Sequence, residues 1–239
     1  MMWTILWCLT EKRKKQVPES EYMSRHLYLI SGLGADERIF NNLRFPPGYD
    51  IHHLKWIKPL PDEPISSYAA RMADGITADG PVSLMGVSFG GIMSLEIARI
   101  RPVAQNILLS SIKHTTEKPP YYNWARKLRL HQLPDSLLYQ RRSLIVKKFL
   151  NLETPEEGQL VKEYLSKRDY TFLRWAVNAI LHWKNEMVPE NLVHIHGAKD
   201  LPFPIRFVKP THVIRDGGHF MVLNRATEIN SILDNTLIR

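Results

Sequence analysis

Residues 84–91 read Leu84-Met85-Gly86-Val87-Ser88-Phe89-Gly90-Gly91, one serine set among three glycines directly after an apolar run. Either the serine must be presented on a turn too tight for side chains, or this is an ordinary strand-to-helix loop that contains serine. The two differ in what the glycines are for. A serine held on a strained turn at the end of a strand projects its Oγ above the sheet, and side chains at Gly86 and Gly90 would then run into the neighbouring helix and strand. The helix beginning beside Ser88 would also aim its unpaired N–H groups at the reaction centre, where they favour developing negative charge. G-x-S-x-G arises by chance in many chains, so the surroundings decide.

Working outward, strand and helix patterns alternate. His26–Ser31 (HLYLIS) reads as a buried strand entering the loop Gly32-Leu33-Gly34, and a helix is expected near Asp36 with Ile39, Phe40 and Leu43 on one face. A second strand over Ile51–Trp56 is followed by Pro59, Pro61 and Pro64, which mark a loop into a helix over Ser66–Ile76. Then come a strand at Val82–Val87, a helix at Gly91–Ile100 and a strand at Gln105–Ser110. Continuously apolar strands separated by helices predict an α/β fold, a mostly parallel sheet covered on both faces. From Ile112 to Glu190 the alternation stops, and helix-compatible segments such as SLIVKKFL and FLRWAVNAILHW lie between prolines. Residues 112–190 are therefore expected to form a helical cap, its last helix (Thr171–Trp183) returning to the core. The core is then 23–111 and 191–239, resuming with strands at Leu192–His196 and His212–Ile214 and closing on a helix over Met221–Leu237.

A serine hydroxyl is a weak nucleophile until a base takes its proton, and that base needs an orienting carboxylate. After the Leu192–His196 strand comes His196-Gly197-Ala198-Lys199-Asp200, and after the last strand Asp216-Gly217-Gly218-His219-Phe220. The order Ser88, Asp200, His219, each on a loop leaving a strand, is the one that chemistry takes on this kind of sheet. Asp216 is the other carboxylate close to His219, but beside Gly217 it reads as a turn former.

On these motifs the chain resembles the α/β-hydrolase superfamily over residues 26–238. The resemblance implies an acyl-enzyme route in which Ser88 attacks a carbonyl, His219 serves as base and then acid, and Asp200 holds the imidazole. It also implies two backbone oxyanion donors, the N–H of Phe89 and that of Leu33 between Gly32 and Gly34. The chain departs from the family pattern in three places. Ser31-Gly32 stands where His-Gly is common, so support of that loop by a histidine is missing. The two strands that often come first have no match outside residues 1–22. The segment LPFPIRFVKP (201–210) leaves little room for a helix between the last two strands.

The resemblance leaves the substrate open. An ester, thioester or similar activated acyl compound of small to moderate size is the expectation, with no metal or organic cofactor. Carbon–carbon bond hydrolysis or elimination on the same fold, and a non-catalytic ligand-binding relative, are the alternatives. Ser110, Ser111 and His114 follow a strand end and are candidate pocket-lining residues, with turn capping the competing reading. Tyr121, Tyr122, Trp124, Trp175 and Trp183 are candidates for an aromatic wall over the substrate or for packing within the cap. His194 and His196 alternate along one strand as metal ligands might, yet no acidic partner is placed near them, so a core strand with a histidine on each face is the better account.

Composition narrows the remaining classes. The chain has 239 residues and 44% hydrophobic residues, enough for one large domain or a core with an insertion. A formal charge of +8 favours anionic surfaces or substrates, but there is no RNA-recognition signature, zinc-finger spacing or long basic block to suggest a nucleic-acid partner. One cysteine, Cys8, excludes an internal disulfide and a cysteine-built metal site and points to a reducing, cytoplasmic setting. The apolar start MMWTILWCLT is followed by EKRKK, the wrong charge order for a secretory signal, and is far too short to span a bilayer. Residues 1–22 are expected to be an extension outside the core, with Met23 a candidate natural start. The competing reading is an interfacial anchor through Trp3 and Trp7.

Overall fold

The computed structural model describes residues 25–129, 149–166 and 169–237. The expectation for residues 1–22 and most of the segment SLIVKKFL lie outside the described residues. Six strands form one sheet: β1 (Arg25–Ile30), β2 (Tyr49–His53), β3 (Val82–Val87), β4 (Val103–Leu109), β5 (Leu192–Gly197) and β6 (His212–Ile214). Their order is β2-β1-β3-β4-β5-β6, and all five pairings are parallel. The chain therefore starts near the middle, winds to one edge, returns and winds to the other. Such a reversal opens a crevice at the carboxyl ends of the strands between β1 and β3.

Apolar side chains cover both faces of the sheet centre, where β1 and β3 carry its continuous buried runs. Tyr28, Ile30, Leu84 and Leu108 enter one cluster with Tyr68 and Met72 of α1 (Ile65–Ala73), Ile92 and Met93 of α2 (Phe89–Ala98), and Phe172 and Ala176 of α5 (Tyr170–His182). Leu27, Leu29, Met85 and Ile107 enter the other, with Val161 and Tyr164 of α4 (Pro155–Ser166), Met221 of α6 (Met221–Asn224), and Ile229 and Leu233 of α7 (Ala226–Thr236). The remaining helix, α3 (Pro120–Lys127), buries none of its side chains. Within residues 112–190, α5 thus packs on one face of the core and α4 on the other.

Two elements differ in kind from the sequence reading. The helix expected near Asp36 is a single 3-10 turn, Glu37–Phe40, capped by the Asp36 carboxylate, which accepts from the Arg38 N–H at 3.2 Å. The terminal helix is broken at Arg225, whose backbone (φ −127°, ψ 27°) leaves the helical region while its guanidinium pairs with Glu153. Between β5 and β6 the chain makes a turn at Pro204–Phe207 and no helix, as the proline spacing implied.

Candidate active site

Ser88 sits between β3 and α2 with φ 53° and ψ −116°, a backbone conformation that L-residues adopt only under constraint from their neighbours. The constraint is visible. The Ser88 N–H donates to the Leu109 carbonyl of β4 (2.9 Å), and the Ser88 carbonyl accepts from the Ser111 hydroxyl (2.7 Å) and from the Gly91 N–H (3.0 Å). A Cβ added at Gly86 would fall on the Gly90 carbonyl and the Gly91 nitrogen, and one at Gly90 would fall on the Ile30 carbonyl and lie 2.5 Å from the Ser31 carbonyl. Gly91 is equally closed, because its Cβ would lie 2.5 Å from the Ser111 Oγ. These are steric requirements of helix α2 starting directly against the end of β1.

The three side chains expected from chain order meet here. Ser88 Oγ lies 2.9 Å from His219 Nε2, and His219 Nδ1 lies 2.8 Å from Asp200 Oδ2. The Asp200 side chain is fully buried and that of His219 nearly so. An ionised carboxylate can only accept, so Nδ1 carries the proton and the Nε2 lone pair faces the serine hydroxyl. Asp200 Oδ1 accepts from the Phe203 N–H (2.8 Å), and the Phe203 carbonyl in turn accepts from His196 Nε2 (2.7 Å). Burial holds His196 below its usual range and so favours the neutral ring, although the bond to the Phe203 carbonyl opposes that shift. Asp216 points elsewhere, forming an exposed 2.7 Å pair with Lys199.

The loop carrying His219 is held by the segment that precedes α4. Phe220 N–H donates to the Leu150 carbonyl (3.2 Å), and a Cβ at Gly218 would collide with the Asn151 side chain. Arg225, just beyond, donates to both carboxylate oxygens of Glu153 at 2.8 and 2.7 Å.

The loop and the helix end that carry the candidate oxyanion donors both border Ser88. Phe89 opens α2, so its N–H has no intrahelical acceptor. The Gly32 carbonyl accepts from the Ala35 N–H (3.1 Å), closing a turn with Leu33 second and Gly34 third, and Gly34 has the positive φ (75°) that a type II turn needs there. Gly32 borders the serine, since a Cβ on it would meet the Ser88 Cβ at an ordinary contact distance of 3.6 Å.

The other candidates are scattered. His114 caps the turn Thr115–Glu117, accepting from the Thr116 N–H (3.2 Å), which is the capping alternative. Ser110 is buried with φ 48°, and Ser111 braces the elbow from behind. Trp124 stands 67% exposed on α3, while Tyr121 and Tyr122 donate to the Pro202 carbonyl. Trp175 packs edge-on against Phe89, and Trp183 is buried with its N–H on Glu96. His194 is fully buried beside His196, their ring centroids 5.3 Å apart, so the two share one face of β5, as positions i and i+2 of a strand must, instead of taking one each; among the described residues no group of three or more His, Cys, Asp or Glu is placed to hold a metal ion. A groove of about 1580 Å³ between the 58–66 loop and α5 contains none of Ser88, Asp200 and His219. Two of its acidic groups, Glu63 and Glu96, pair with Arg71 and Arg99, and the side-chain geometry around Ser88 places the candidate site elsewhere. Sequence reasoning missed Phe203 and Trp56. A proline-flanked position and the last residue of an expected strand give no catalytic signal.

No protein-family model matches the chain, and no curated protein matches it. Solved structures do. The chain is similar to a thermophilic esterase from Thermogutta terrifontis at 15% identity, covering 89% of each chain with a TM-score of 0.65. It is similar to MenH from S. aureus at 19% identity, covering 90% of this chain and 93% of that one, TM-score 0.68. It is also similar to the type II thioesterase BorB from the borrelidin biosynthetic cluster at 16% identity, covering 90% and 94%, TM-score 0.64. These likenesses, with the parallel sheet and its strand order, define the class by fold: the chain has the α/β-hydrolase fold.

Proposed function

We propose that the protein is a serine hydrolase that cleaves an ester, thioester or similarly activated acyl compound. The observation that carries this reading is the continuous line Ser88–His219–Asp200, with contacts of 2.9 and 2.8 Å, on the strained turn at the head of α2. The esterase and thioesterase among the structural neighbours support the same chemistry by analogy of fold.

In the proposed reaction the Ser88 Oγ attacks the acyl carbon, its proton passes to His219 Nε2, and the carbonyl electron pair moves onto oxygen. The N–H groups of Phe89 and Leu33 receive that oxyanion. Collapse breaks the bond to the leaving alkoxide or thiolate, which takes the proton from His219. A water then gives its proton to His219 and attacks the acyl-serine, releasing the acid and restoring the Ser88 hydroxyl. Asp200 stays ionised throughout and stabilises the imidazolium. Apolar groups surround the base: Phe203 lies against His219 with ring centroids 5.8 Å apart, and Tyr122 lies against Phe203 at 6.0 Å.

The test is turnover of p-nitrophenyl esters of several chain lengths by wild type, Ser88→Ala and Asp200→Asn. Wild type should show a chain-length optimum and Ser88→Ala none of this activity. Asp200→Asn should fall by about 10³–10⁴-fold in kcat, because the amide no longer fixes the tautomer. Folded wild type inert toward every ester, or an Asp200→Asn variant as fast as wild type, would contradict the reading.

A further inference from the structure

The Ser31-Gly32 departure leaves the candidate oxyanion loop without a supporting histidine, and the structure supplies a different support. Ser31 Oγ donates to the Ala35 carbonyl (3.0 Å), bridging the turn that presents Leu33, and accepts from the Trp56 indole N–H (3.1 Å). The same indole stacks on Phe89, with ring centroids 5.1 Å apart and planes 7° from parallel. Phe172 and Tyr68 flank Trp56 at 5.2 and 6.2 Å and fix its orientation. One side chain therefore touches both halves of the hole, the loop through its N–H and the elbow through its ring face.

We propose that Trp56 and Ser31 are positioning residues that set the spacing between the Leu33 and Phe89 N–H groups, taking the place of a histidine support. The proposal rests on the serine-hydrolase reading above. Its physical basis is the steepness of the effect: backbone donors stabilise an oxyanion only at about 2.7–3.1 Å, and small misplacements cost rate rather than ground-state binding. Core packing alone would account for the stack. It would not account for a hydroxyl that donates across this turn to Ala35 and accepts from the indole N–H.

The experiment compares wild type, Trp56→Phe, Ser31→Ala and the double variant. Trp56→Phe keeps an aromatic face for Phe89 and removes the indole N–H; Ser31→Ala removes the hydroxyl, and carries the test alone if Trp56→Phe does not fold. Fluorophosphonate labelling of wild type at Ser88 comes first, because its absence would sink the serine-hydrolase reading itself rather than this refinement. With labelling established, kcat and KM are measured on the best p-nitrophenyl ester, with the inhibition constant of an alkylboronic acid, whose tetrahedral serine adduct places an oxygen in the hole. Each single variant should lose about ten-fold in kcat with KM within about two-fold, and the boronic acid should weaken by a similar factor. The double variant should be no worse than about two-fold below the weaker single, because both changes break one link. Single variants with wild-type kcat, losses that appear in KM, an unchanged boronic-acid affinity or losses that multiply in the double variant would each overturn the proposal.

Discussion

Ser88 carries a conformational cost that its neighbours impose. A side chain at φ 53° and ψ −116° is strained by roughly 1–3 kcal/mol, and glycine is not. Comparing Ser88→Gly with Ser88→Ala isolates that strain, since both remove the hydroxyl. The glycine variant should be more stable by about 1 kcal/mol in denaturant unfolding, even after glycine's greater unfolded-state entropy, whereas equal or reversed stabilities would mean that the turn is relaxed. At this scale the serine, the two glycines beside it, the histidine and the carboxylate were legible in the sequence, because each needs a particular residue type at a strand end. Ser31 and Trp56 were not, because a hydroxyl shared between an indole and a carbonyl leaves no spacing to read. Of the candidate lining residues, His114 closes its own turn, as the capping reading has it, and Trp124 faces solvent.

Among elements, β3 and β6 run over the residues expected of them; β3 is wholly buried between Pro81 and the Ser88 turn, whereas β6 is a short edge strand with only Ile214 buried. The terminal helix could not be divided from sequence, because its break at Arg225 comes from a tertiary tie to Glu153 and involves neither glycine nor proline. The glycines of two helices separate tight packing from mere occupancy. Gly90 in α2 has backbone carbonyls where its Cβ would go, while Gly158 in α4 has nothing within 4 Å. Gly90→Ala should destabilise by about 3 kcal/mol or more, because a backbone cannot step aside as a flexible side chain can. Gly158→Ala should stabilise by about 0.5–1 kcal/mol through helix propensity. Thermal or denaturant unfolding of the two variants checks both signs, and a tolerated alanine at Gly90 would show that α2 does not abut β1 as closely as described.

For the whole molecule, acid stability reports on the two histidines inside β5. Burial, reinforced by His196 and Lys113, holds His194 well below its usual value of 6.5, and burial also lowers His196. The folded protein keeps His194 neutral while the unfolded chain protonates it below about pH 6.5. Its contribution is therefore complete above that pH and lost as the pH falls toward the depressed folded value. Relative to wild type, His194→Leu should gain about 1 kcal/mol on going from pH 7.5 to 5.5, since each unit below 6.5 costs wild type up to about 1.4 kcal/mol at this residue. A pH-independent difference between the two proteins would mean that His194 takes up its proton in the folded state as readily as in the unfolded chain. The parallel sheet, its two covered faces and the loops converging at its carboxyl edge were foreseeable from the alternation of strand and helix, which is a property of the whole chain. That α4 packs on the face opposite α5 was not, because it depends on contacts far apart in sequence. The account turns on whether Ser88 is a nucleophile, and the most direct measurement is intact and peptide mass spectrometry after treatment with a fluorophosphonate, on wild type and Ser88→Ala. One covalent adduct on wild type, mapped to Ser88 and absent from the variant, is the expected result; a folded wild type that takes up no reagent, or an adduct mapped to another residue, would contradict it.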